Sequence, residues 1–203
     1  MQLRHNEIRD LTANLLKEAG CRDVTREPHL LPITGETFRL KSANTANDAR
    51  LDVSARDFWL PMDKIYVDVR IFNPLAPTNS AISLDTALKR HEDEKKRCYN
   101  ERVLEVEQSC FSPLVFSVTG ALGNEAEKFY RNLARLLADK TKQAYADTIR
   151  YIRQRLSFTL LRTTIISLRG HRGNKFTKTS QYKSERHDIN LLYNNSFNST
   201  RFN

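Results

Sequence analysis

Apolar residues recur along this chain at two spacings, and each change of spacing marks an element. Leu3, Ile8, Leu11, Leu15 and Leu16 share one helical stripe that stops at Gly20, which predicts a helix over residues 3–19. Residues 22–31 read as extended, broken by Pro28 and followed by Pro32, and residues 38–40 as a short returning strand after the Thr34-Gly35-Glu36 turn. The polar run 42–49 reads as a loop. Strict alternation then begins. Leu51, Val53 and Ala55 alternate with Asp52, Ser54 and Arg56; Ile65, Val67, Val69 and Ile71 alternate with Tyr66, Asp68, Arg70 and Phe72. Residues 59–63 can turn between them, giving a hairpin centred near Leu60 that sets Val53 opposite Val67 and Asp52 opposite Asp68.

Helical spacing returns over residues 84–108. A buried-looking strand covers 112–118 and closes at Gly120; a helix runs from Asn124, read as its N-cap, to Asp139, and a last helix covers 145–169. The resulting fold class is α/β in the α+β sense: a helix-strand-strand-strand-helix-strand core with additional C-terminal helices. The expected organisation is a core domain over 1–143, a basic helix over 144–170 packed on it, and a polar, disordered tail over 171–203.

The hairpin carries the candidate chemistry. Two carboxylates facing each other across a ladder repel, so Asp52 and Asp68 imply a cation between them. Hard cations such as Mg²⁺ (or Mn²⁺) take oxygen ligands and need few from protein. Such an ion would activate water and neutralise charge on a scissile phosphate. Arg70, one pleat from Asp68, can steady a phosphate but is a poor base. The alternative is a surface hairpin in which both Asp residues meet Arg50 and Arg70. On the helix after the hairpin, one stripe runs Leu84, Leu88, His91, Lys95, Cys98, Arg102 and Val106. It would bring Lys95 to the carboxylates, since a buried Lys needs a partner. A shifted stripe through Leu88, Cys98, Tyr99 and Val103 would leave His91 and Lys95 at a wet edge. Glu7 borders the buried face of the first helix and can add an oxygen to the metal or pair with Arg4.

Asp52 on one strand and Asp68-Val69-Arg70 on the next resemble the signature of the PD-(D/E)XK nuclease superfamily, which has the restriction-endonuclease-like fold. The resemblance covers about residues 1–118. It implies an Mg²⁺-dependent endonuclease hydrolysing phosphodiester bonds, with Asp52 and Asp68 as metal ligands and catalytic residues. It also implies a further acidic residue from the first helix, Glu7. Arg70 stands where the superfamily has Lys, and some members carry that Lys on the following helix, where Lys95 matches. The alternative implied by Arg70 is a catalytically inactive nuclease fold that still binds nucleic acid. Phe72-Asn73-Pro74, residues 90–97 and residues 155–162 are similar to the C-terminal regions of retroelement-like proteins of simple animals, which implies a transposable-element origin.

Charge adds a partner to this picture. The chain carries a net +9; residues 144–203 hold 11 Lys/Arg against 3 Asp/Glu, while residues 1–143 are nearly balanced at 22 against 21. Such asymmetry suits a polyanion, here nucleic acid with DNA favoured, or simply a solvated surface. Arg155, Arg162 and Arg169 recur every seven residues on the last helix, with Arg150 and Arg153 on its other side. These five can track a phosphate backbone or snorkel over the core. Three cysteines without a CxxC pair argue against a disulfide framework or a zinc site. The charged start and the lack of a long apolar run predict an intracellular protein, nuclear or cytoplasmic, that is neither secreted nor membrane-bound.

Overall fold

A computed structural model describes residues 2–170 of the chain, and the predicted tail lies outside them. Four helices surround one four-stranded mixed sheet. In order, the elements are α1 (Gln2–Ala19), β1 (Arg22–Arg26), β2 (Val53–Arg56), β3 (Lys64–Phe72), α2 (Leu84–Glu105), β4 (Cys110–Ser117), α3 (Asn124–Thr141) and α4 (Tyr145–Gly170). The sheet order is β1-β2-β3-β4; β1, β2 and β3 pair antiparallel, and β4 joins β3 in parallel after the α2 crossover. A parallel neighbour needs a crossover of this length, so α2 is held against the sheet by connectivity as well as by packing.

One face of the sheet is a continuous apolar core. Val53, Ala55, Ile65, Val67, Val69, Leu114 and Phe116 meet Ile8, Leu11 and Leu15 of α1, Phe129, Tyr130 and Leu133 of α3, and Ile152, Leu156 and Leu160 of α4. Two polar groups inside it meet each other: Thr12 Oγ1 and the Tyr130 hydroxyl lie 2.8 Å apart. The face toward α2 differs. It holds two small apolar clusters, one around Leu51, Tyr66, Val103 and Phe111, the other around Phe72, Leu88 and Val115. Along β3, Asp68 and Arg70 lie between Tyr66 and Phe72 and so separate the two.

Several expectations need correction. Residues 38–40 form no strand; the Arg39 and Leu40 amides donate to the Glu101 carboxylate of α2 at 2.7 and 3.1 Å. Buried Arg102 completes that attachment by donating to the carbonyls of Leu31, Asn44 and Ala46. A long loop is thus tied to α2 by a carboxylate and a guanidinium, groups that no propensity rule assigns to strands. Asn124 is the first residue of α3, and Gly123 is its N-cap without a side-chain cap. Glu92 of α2 caps α3 instead, accepting from the Glu125 amide at 2.9 Å. On α2 neither predicted stripe holds throughout: Leu88, His91, Arg102 and Val103 are buried, Lys95 and Cys98 half-buried, and Leu84 exposed.

Candidate metal and phosphodiester site

The β2–β3 register is the one the alternation predicts, from Val53↔Val67 to Arg56↔Lys64, with the loop over 57–63 closing the hairpin. It breaks at Asp52. The Asp52 amide donates to the Val67 carbonyl at 3.0 Å although Val53 is the residue registered opposite Val67. Two residues therefore oppose one, the arrangement of a β-bulge, which re-aims a side chain. The Asp52 carbonyl accepts from the Glu27 amide, and Asp52 Oδ2 accepts the Val69 amide at 2.6 Å. The carboxylate has taken a carbonyl's place in the ladder. Asp52 is thus not paired residue-to-residue with Asp68, and Leu51 leaves the apolar face for the α2 side. The bulge keeps the two carboxylates from standing directly opposite each other, where they would repel.

His5 of α1 also reaches Asp52, its Nε2 lying 3.0 Å from the same Oδ2. That hydrogen bond holds the imidazole pKa above its ordinary value, against the opposing effect of burial. His5, not Glu7, is thus the α1 side chain with a hydrogen bond to Asp52. The signal was present, because His5 lies three positions before buried Ile8. Glu7 itself is half-buried on α1.

Asp68 is 7% exposed on β3. Lys95 Nζ stands 2.6 Å from its Oδ2, off the hydrogen-bonding direction, so that buried oxygen has an ion-pair partner but no hydrogen bond. Burial pushes the Asp68 carboxyl up to about 6; Lys95 opposes the shift and Asp52 adds to it. Burial would lower the Lys95 ammonium, but Asp68 overcomes it and the net shift is upward. One pleat along β3, Arg70 donates to Glu94 of α2 at 2.9 Å, and His91 Nδ1 lies 3.6 Å from the same carboxylate. Strand positions 68 and 70 are thus matched by helix positions 95 and 94, acid to base and base to acid. The Arg70 charge is engaged by Glu94 and not turned on Asp68.

The donor set suits one kind of ion. Among the described residues, no group of three or more His, Cys, Asp or Glu converges as a metal cage. Asp52 and Asp68 each keep Oδ1 free of any protein hydrogen bond there. Two carboxylates with unclaimed oxygens fit a hard divalent cation that retains water, and they do not fit zinc.

The basic helix is less uniform than its spacing predicts. Arg155 is committed inward, donating to both Glu18 oxygens at 2.9 and 3.1 Å and to the Tyr151 hydroxyl at 2.9 Å, so it ties α4 to α1. Arg153 and Arg169 are exposed, Arg162 is half-buried, and Arg150 is exposed near Asp147. No helix among the described residues is long and apolar enough to cross a membrane. No protein-family model matches the chain, and comparison with curated proteins gives no match.

Proposed function

We propose that the chain is a divalent-metal-dependent nuclease of the PD-(D/E)XK type, with DNA as the favoured substrate. The observation that carries this reading is Asp68, buried on a central strand, with an oxygen that accepts no hydrogen bond but stands 2.6 Å from a lysine of the crossover helix. The order of α1, three antiparallel strands, α2 and a parallel β4 agrees with a restriction-endonuclease-like core.

Asp52 and Asp68 are the residues that would hold Mg²⁺ or Mn²⁺, which when bound supplies charge neutralisation and an activated water. The chain's own groups do the rest. The bulge turns the Asp52 carboxylate to the Val69 amide, which holds its Oδ2. Lys95 neutralises Asp68, and with a cation held there its ammonium would be left to serve the phosphate or the attacking water, the part the superfamily gives to the strand lysine. Arg70 supports Lys95 indirectly, because it keeps Glu94 occupied. Arg150, Arg153, Arg162 and Arg169 are the residues offered to a nucleic-acid backbone, a contact that positions without reading sequence.

Plasmid nicking by the purified chain tests the reading. Mg²⁺-dependent nicking that disappears in Asp68→Ala and in Lys95→Ala is expected. Nicking that survives Asp68→Ala excludes it. Salt-sensitive DNA binding without cleavage would favour an inactive nuclease-fold module, the reading that the Arg70–Glu94 ion pair supports.

A further inference from the structure

The geometry points to His5 as the positioning residue of the metal site: it is the group on α1 that locks Asp52 with one carboxylate oxygen left for the ion. This inference rests on the proposed metal-dependent reading. Asp52 has two claims on a single atom, since His5 Nε2 and the Val69 amide both address Oδ2, at 3.0 and 2.6 Å. Two donors on one oxygen fix the carboxyl plane and the rotamer together, leaving Oδ1 unclaimed among the described residues. Val69 alone cannot do this, because a carboxylate held by one donor still swings about that bond.

The location supports the assignment. Asp52 lies in a bulge outside the regular strand, so the ladder holds its side chain through the Val69 amide alone. α1 is anchored to the core through Ile8, Leu11 and Leu15, which gives His5 a rigid base. Asn6 Oδ1 lies 3.4 Å from His5 Nδ1, on the far side of the ring from Asp52. With Nδ1 directed there and Nε2 on the carboxylate, His5 is turned away from an ion and acts through Asp52. That is the relation in which outer partners tune a ligand's affinity for metal.

Mn²⁺ binding to the full chain, followed by electron paramagnetic resonance, gives a readout independent of cleavage. His5→Ala is expected to weaken Mn²⁺ binding about 10–100-fold, the usual cost of losing such a partner. His5→Gln, whose amide can still donate to Oδ2, should recover most of it. In Mg²⁺ titrations of nicking, His5→Ala should raise the half-saturating metal concentration far more than it lowers the rate at saturation. Wild-type affinity in His5→Ala overturns the inference, and so does His5→Gln binding as weakly as His5→Ala. Loss of thermal stability in His5→Ala with unchanged affinity per folded molecule also overturns it, in favour of a purely structural contact. A wild-type chain that binds Mn²⁺ without cleaving DNA sinks the nuclease reading alone, and the affinity ratio still decides His5. A wild-type chain that binds no Mn²⁺ sinks both.

Discussion

The two faces of the sheet solve the same packing problem in opposite ways. Toward α1, α3 and α4, alternate strand residues feed one unbroken apolar cluster. Toward α2, the equivalent row on β3 reads Tyr66, Asp68, Arg70 and Phe72, and the apolar contact splits into two patches around a charged gap. The gap is closed by two crossed ion pairs, Asp68–Lys95 and Arg70–Glu94. Neither contributes much to stability, because desolvation offsets most of the attraction in the buried Asp68–Lys95 pair and solvent screens the half-exposed Arg70–Glu94 pair. A chain that fills one face with Leu and Phe had the means to fill the other. On the proposed reading the charged gap serves function, while the opposite face supplies the fold.

The contrast is broken most directly by one substitution on each face. Asp68→Ala should abolish metal-dependent nicking, by at least about 10³-fold, since a ligand to a charge-neutralising metal is worth several kcal/mol in the transition state. Phe129→Ala, on the apolar face, should instead cost about 3–5 kcal/mol of stability in denaturant unfolding. Its nicking per folded molecule should match wild type. Equal loss of both properties in either variant would dissolve the distinction between the faces.

A milder test replaces the charges in pairs. Asp68→Leu with Lys95→Met keeps approximate volume and removes both ions. Such swaps are often neutral or stabilising by about 1–4 kcal/mol, whereas removing one partner leaves a buried charge unpaired. Chemical denaturation should place the double variant at or above wild type and Lys95→Met alone below it. A double variant weaker than both singles would show that the ion pair holds α2 in place.

Much of this was legible in the sequence, for identifiable reasons. Alternation over 64–72 and 53–56 matched the strands and the register, because a one-residue slip would turn Val67 and Val69 out of the core. The cost of burying a lone ammonium pointed Lys95 to one of the two carboxylates or to a wet edge, and the structure gives it Asp68. What escaped were contacts between residues far apart in sequence. His5 reaches Asp52 across 47 positions, and Glu101 holds the backbone of Arg39 across 62. The bulge at Asp52 also escaped, since the same alternation fits a bulged or a regular strand. Arg155 has the spacing of a backbone-binding row, and only its distance to Glu18 shows its inward commitment.

pH sharpens the comparison on the charged face. Asp68 titrates near 6 in the fold, because burial disfavours its ionised form, and near 4 in an unfolded chain. Between those values the folded chain holds the extra proton, so stability falls as pH rises through about 4 to 6. The contribution of the protonated carboxyl is fully present below the window and gone above it. Asp68→Asn cannot ionise and lacks this slope. The difference in unfolding free energy between wild type and Asp68→Asn should therefore shift against wild type by an amount of order 2 kcal/mol over the window. A difference independent of pH would mean that Asp68 is not held in a desolvated gap.

The smallest expected effect lies where the two faces meet, at the start of α3. A Cβ on Gly123 would stand 2.1 Å from Glu92 Oε1, the atom that caps α3 by accepting the Glu125 amide. Gly123 has φ −72°, which any residue adopts, so the restriction is steric and not conformational. Gly123→Ala should push the carboxylate off the helix end and cost about 1 kcal/mol, as loss of a cap does. Glu92→Ala removes the same hydrogen bond and makes room for the methyl. The double variant should then be no less stable than Glu92→Ala alone. Thermal melts of the three variants decide the matter, since additive losses would mean that Gly123 is required for a contact other than Glu92. With non-additivity, the cap is assigned to α2, and the helix that carries Lys95 also fixes the start of a helix packed on the apolar face.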